Sequence, residues 1–178
     1  QYKRNFGADG NMLVVGFESP FLFDSTTLYQ WGNLEKNLQK IEGVEYTLSI
    51  LSMKLPQFNA DGSLREWKTI ESLYPIDSVG VAVRENPTLD GLIYNPTQKA
   101  TMMVVSIGNE MVNSSRRDGL MEQIKEQITH FENNTKILTH VSGMPYIRHE
   151  HMQLVLHEMI LFLILSLLVT ILILYVFF

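Results

Sequence analysis

Residues 11–50, NMLVVGFESPFLFDSTTLYQWGNLEKNLQKIEGVEYTLSI, carry a strand, a helix and a second strand in succession, and their reading decides the fold. The apolar run 11–18 is bounded by Asp9-Gly10 and Ser19-Pro20, the length and punctuation of a buried strand. Asp24 and Ser25 offer N-cap oxygens. Leu28, Trp31, Leu34, Leu38 and Ile41 then recur every three or four residues until Gly43, which predicts an amphipathic helix. Directly after it, Val44, Tyr46, Leu48 and Ile50 alternate with Glu45, Thr47 and Ser49, the period of a strand with one buried and one wet face.

The same unit returns in the second half. Asn95 and Pro96 set a turn ahead of 100–107 (ATMMVVSI), a strand for which residues 92–94 offer a hairpin partner. Ser115 and Asp118 form an approximate capping box before the stripe Leu120, Ile124, Ile128 and Phe131, and the helix is expected to end at Asn133 and Asn134. Residues 136–142 form the next strand, which Gly143, Met144 and Pro145 break. Two β-α-β units predict an α+β, ferredoxin-like βαβ-βαβ sandwich with two helices on one face of a four-stranded sheet. Residues 52–98 lie between the units as an irregular insertion. It should hold a turn at 59–62 (NADG), a short helix over 66–74, and strand or helix over 77–84.

Residues 159–178, MILFLILSLLVTILILYVFF, contain no charge and predict a helix about 30 Å long, the thickness of a bilayer's hydrocarbon core. Ser166 and Thr170 can bond back to the helix's own carbonyls, so no hydroxyl is stranded in lipid. A buried core helix of this length would show a polar face, and this one has none. Nothing interrupts the helical pattern from Tyr146 into the apolar run. The chain therefore divides into a folded domain (1–144), a connecting helix (145–158) and a transmembrane helix (159–178). It begins with Gln1 rather than Met, shows no signal-peptide pattern, and stops at Phe178 without a polar anchor, so both ends read as cuts in a longer chain.

Composition narrows the chemistry. The 178 residues carry 14 Lys+Arg against 19 Asp+Glu, a net charge of -5, and supply no basic surplus for nucleic acid. The absence of cysteine excludes disulfides, thiolate catalysis and Cys-ligated zinc. No nucleophile elbow, Walker loop or dinucleotide fingerprint occurs, and Gly7-Ala8-Asp9-Gly10 is a turn ahead of the first strand. Among the five histidines, His149, His151 and His157 lie near Glu150 and Glu158 just before the membrane. His149 and His151 fall about 200° apart around a helix, unlike the ligands of a zinc helix, so the stretch reads as polar and interfacial. Arg116-Arg117 reads as a solvated pair, and the sequons at Asn113 and Asn133 as chance matches. The nine methionines read as core filling. No catalytic, cofactor-binding or metal-ligating residue is assigned, and side chains lining a cargo path are indistinguishable in sequence from the sheet's own core.

The order of elements resembles the resistance-nodulation-division superfamily of secondary transporters, especially exporters of the mycobacterial membrane protein large type. The stretches that carry the resemblance are FGADGNMLVVGFESP with its helix and IEGVEYTLSI, then NPTQKATMMVVSI, RRDGLMEQIKEQI, and KILTHVSGMPYIRHEH running into the apolar tail. The similarity spans roughly residues 6–178, and the junction at Val141 to Pro145 is its most characteristic part. It implies the first extracytoplasmic porter loop and the following transmembrane helix of a proton-driven exporter of hydrophobic or amphiphilic compounds or lipids. The setting would be a bacterial inner membrane, with residues 1–144 on the periplasmic side; the absence of cysteines agrees with a bacterial source. Its partners would be the bilayer, the cargo, the transporter's other helices and further copies in an oligomer, with no cofactor. The proton-carrying acidic residues of the family lie on a later helix, and Tyr175 is the only ionisable group in 159–178. The competing reading is a tail-anchored, single-span protein whose domain recruits a partner. A membrane-anchored hydrolase has no organised acid, base and nucleophile to support it.

Overall fold

The computed structural model describes residues 11–177 apart from 87, 88, 90, 92, 113 and 115. Expectations resting on Gly7 to Gly10, Leu92, Asn113 and Ser115 therefore lie outside the described residues. The architecture is mixed α+β with antiparallel sheets and a long C-terminal apolar helix. Strand β1 (Met12–Glu18), helix α1 (Ser25–Leu38) and β2 (Val44–Leu48) realise the first unit. The second comprises β6 (Ala100–Ile107), a short helix α4 (Asn109–Val112), helix α5 (Arg117–Thr135) and β7 (His140–Ser142). The sheet order is β2-β6-β1-β7, and every neighbouring pair runs antiparallel. A two-residue strand, β5 (Tyr94–Asn95), adds to β6 across the Asn95-Pro96 turn.

One face of the sheet makes the core. Leu13, Val15 and Phe17 of β1 and Met103, Val105 and Ile107 of β6 occupy alternate positions and are buried against the two apolar helix stripes. At its centre, the Phe17 and Trp31 rings meet edge to face with centroids 4.8 Å apart, and Trp31 and Phe131 at 5.4 Å. Such pairs add about 0.5–1.5 kcal/mol each beyond the area they bury. This triangle ties one strand to both helices.

Several local expectations are corrected. Helix α1 stops at Leu38 and continues to Ile41 only as hydrogen-bonded turns, because Gly43 is reached with φ +100. Strand β2 ends at Leu48, and a register shift between Val44 and Tyr46 breaks the alternation. Tyr46 is consequently 43 % exposed, while Ile50 is buried in the turn that follows. That turn is held by buried Glu35, whose carboxylate accepts hydrogen bonds from Ser49 Oγ at 2.6 Å and Ser52 Oγ at 2.5 Å. Residues 66–74 are not one helix. A hairpin of β3 (Lys54–Phe58) and β4 (Leu64–Thr69) precedes α2 (Ile70–Leu73), with the expected turn at 59–62 carrying Gly62 at φ +80. Trp67 sits opposite Pro56, a pairing no local reading of 66–74 contains. The valine-rich stretch is helical: a 3-10 turn (Ile76–Ser78) leads into α3 (Val79–Arg84), which buries Val79, Ala82 and Val83 at helical spacing.

Near the C-terminus, α5 outlasts Asn134 and is capped by Lys136 in the left-handed region at φ 59. Strand β7 is shorter than expected because Thr139 turns its backbone N–H and hydroxyl to Glu132, both at 2.8 Å. The break expected at 143–145 falls on Gly143 alone, with φ +132. Helix α6 then runs without interruption from Met144 to Phe177, and Pro145 sits in its first turn, where no N–H is required. At 34 residues it is about 51 Å long. Its most apolar window has mean hydropathy 3.1 and none of it is buried, so the helix is long and apolar enough to cross a membrane. The hydroxyls of Ser166 and Thr170 donate to the carbonyls of Leu163 and Ser166 at 2.9 and 2.8 Å.

Two glycines test this backbone in opposite directions. A Cβ at Gly143 would collide with the Met12 carbonyl at a positive φ, so Gly143→Ala should lower stability by about 1–3 kcal/mol. Gly119 lies inside α5 with open space around it, and Gly119→Ala should raise stability by about 0.5–1 kcal/mol. Thermal unfolding of the two variants beside the parent chain measures both.

Candidate functional site at the α5–α6 junction

Helix α6 has to leave the domain somewhere, and the residues at its exit form a polar cluster against α5. Pro145 and His149, four residues apart, are buried on the face turned to α5, while His151 and everything from Leu154 to Phe177 is exposed. On α5, Asp118, Glu122 and Lys125 follow one another at spacings of four and three and so share one side of the helix. The two faces meet as the helices run antiparallel: Lys125 opposite Glu150, Glu122 and Asp118 opposite His149, and Arg117 opposite Met152.

His149 is the centre. Only 1 % of it is exposed, with Nδ1 3.3 Å from Asp118 Oδ1 and Nε2 3.2 Å from Glu122 Oε1. A ring with one proton donates to only one of these carboxylates; a ring with both protons satisfies the pair. Its other neighbours are Arg117, which donates to Asp118 from Nε and a terminal nitrogen at 3.3 Å, and the Lys125–Glu150 pair at 2.9 Å. The hydrogen bond from His149, joined by Arg117, holds the Asp118 carboxyl below the usual range. Lys125 does the same for Glu150, and Glu150 in turn pushes the Lys125 ammonium up.

The histidines therefore divide, which corrects their common reading as an interfacial polar stretch. His149 is buried between two carboxylates, whereas His151 and His157 are exposed. The arginine pair is also not simply solvated: Arg116 binds Glu42 at 3.0 Å, and the Arg117 side chain is only 17 % exposed against Asp118. Among the described residues, no group of three or more His, Asp or Glu is placed to hold a metal ion. What the cluster can do is mechanical and electrostatic. It fixes the rotation and register of α6 against the domain, and it responds to protonation.

Replacing His149 by Ala removes a buried side chain together with its contacts to Asp118 and Glu122 and should cost about 1–3 kcal/mol. His151→Ala and His157→Ala should stay within about 0.5 kcal/mol, as exposed sites do. Denaturant titration of the three variants decides. Asp118 and Glu150 have lowered folded-state pKa values, so their contribution is present above the unfolded carboxylate range and is lost as pH falls below about 4. A scan of melting temperature from neutral to acidic pH should fall through that window, and less steeply in Asp118→Asn. No protein-family model matches this chain, and no curated protein matches it.

Proposed function

We propose that the chain is an extracytoplasmic porter-type domain and the adjoining transmembrane helix of a proton-driven exporter similar to the resistance-nodulation-division superfamily, moving hydrophobic or amphiphilic compounds. The single observation that carries the reading is the unbroken α6, clamped to α5 at its start and free of charge from Met159 to Phe177. The sheet order β2-β6-β1-β7, with α1 and α5 built into the two β-α-β units, supports a ferredoxin-like sandwich of the kind used by porter domains. In this reading α6 crosses a bacterial inner membrane, and the domain stands on its outer side.

A domain that opens and closes a cargo path must transmit force to the helices where proton movement is harnessed. A continuous helix does this without an entropic loss at a joint, and the α5–α6 cluster prevents rotation of the domain about it. The cluster's role here is positioning. Proton transfer belongs to acidic residues elsewhere in the transporter, since α6 offers none within its apolar span.

The test is transport by the native protein in its source membranes. An antibody against residues 11–158 should detect a protein several times heavier than 20.5 kDa. Insertion of a Gly-Ser linker after Glu158 should abolish export while membrane insertion persists. A native mass near 20.5 kDa contradicts the exporter reading. Unchanged export by the linker variant contradicts the coupling role of α6.

A further inference from the structure

A second feature lies far from the α5–α6 junction in the sequence and takes no part in it. A groove of about 680 Å³ opens between the β1–α1 loop, α3 and the β5–β6 turn. Its floor is apolar: Leu22 and Tyr94 are buried, and the Phe23 ring meets Tyr94 edge on with centroids 5.2 Å apart. Gly80 makes this floor attainable, since a Cβ there would come within 2.9 Å of Phe23. Val81, 55 % exposed, stands at the wall.

Charges of both signs line the rim. The guanidinium of Arg84 lies 5.2 Å from the Phe23 ring centroid, and among the described residues neither it nor Lys99 has a carboxylate partner. On the same rim, among the described residues, Asp24 makes no ion pair and no side-chain cap to α1, and Asp77 accepts a hydrogen bond from the Ser25 hydroxyl only. Cations elsewhere in the domain, such as Lys36, Arg116 and Lys125, do have carboxylate partners. Lys99 is held by its backbone rather than its side chain. It sits at φ 51 in a turn that Asn95 Oδ1 locks through the amides of Thr97 and Gln98, and its carbonyl accepts from Ser19 N at 3.1 Å. A non-glycine residue in that conformation is costly, and such strain concentrates at binding sites.

We infer that this groove binds a zwitterionic amphiphile. Arg84 and Lys99 grip its acidic group, Asp24 and Asp77 receive its ammonium, and a short apolar segment lies over Phe23 and Tyr94. The volume falls within the range of small-molecule sites, enough for a headgroup and the first part of a chain and too small for a whole two-chain lipid. A simple organic anion would leave the two carboxylates repelling it, and a simple cation would leave Arg84 and Lys99 unused. A zwitterion satisfies both. An ethanolamine phosphodiester has this chemistry, whether it comes from a membrane lipid or from a soluble metabolite.

The full chain in lipid nanodiscs, observed through the backbone amide signals of Gly80, Tyr94 and Lys99, tests the inference with three probes. Dihexanoyl phosphatidylethanolamine should produce saturable shifts. Dihexanoyl phosphatidylglycerol, which lacks the ammonium, should bind at least about tenfold more weakly, roughly 1.4 kcal/mol. Glycerophosphoethanolamine, which lacks the chains, separates the sources: equal affinity supports a soluble ligand, weaker affinity supports a lipid. Arg84→Gln, Lys99→Gln and Asp24→Asn should each raise the dissociation constant about tenfold. Val81→Trp should fill the groove and abolish the shifts, and Lys54→Gln on the distant hairpin should change nothing. Amide spectra of the rest of the domain report whether each variant is folded. Absence of saturable shifts, equal binding of the glycerol and ethanolamine lipids, or full binding by Val81→Trp overturns the assignment. The measurement needs neither transport nor further helices, so its outcome and that of the exporter reading are separate.

Discussion

A helix of about 51 Å attached to a domain at one end is a lever, and its use depends on how firmly that end is held. The hold here is a buried imidazole between two carboxylates one helical turn apart, flanked by Arg117 on one side and the Lys125–Glu150 pair on the other. Apolar packing alone would allow α6 to slide or rotate with little change in buried area. The contacts of His149 Nδ1 with Asp118 and of Nε2 with Glu122 are directional, so they select one register. The cluster is polar enough to specify geometry and small enough to be altered by protonation.

What lies behind the cluster makes it useful. Helix α5 presents Asp118, Glu122 and Lys125 to α6 while Leu120, Ile124, Ile128 and Phe131 enter the core, so one helix carries both faces. Phe131 reaches Trp31 of α1 and Phe17 of β1. Contacts thus run from α6 through α5 to the centre of the sheet in a single packed layer. Close-packed interiors of this kind transmit strain rather than absorb it.

The long-period features were legible in the sequence. The strands at 11–18 and 100–107, the stripes of α1 and α5, and the apolar tail each repeat a signal over many residues, and all appear in the structure. Features set by a partner distant in sequence were not legible. The bulge that turns Tyr46 outward depends on β6, and the strand at Leu64–Thr69 depends on β3, so local periodicity misjudged both. Glu35 stands outside the apolar stripe Leu28, Trp31, Leu34, Leu38 and Ile41, yet it is buried where two serines beyond the next strand bond to it. His149 is the clearest case. Its spacing to His151 argued against a metal helix, but only the packing of α6 on α5 places it between Asp118 and Glu122. The available signal was the spacing of Pro145 and His149 on one helix face matched by Asp118 and Glu122 on another. A single sequence does not say which two faces meet.

The central claim is that domain and apolar helix move as one body because of the α5–α6 cluster. The chain has no cysteine, so Glu126→Cys on α5 and Ile160→Cys on α6 introduce the only two thiols for spin labels. Electron-electron resonance distances in nanodiscs should give one narrow distribution in the otherwise native chain and a broad one when His149→Ala is added. A broad distribution before His149 is changed, or a narrow one afterwards, would contradict the claim.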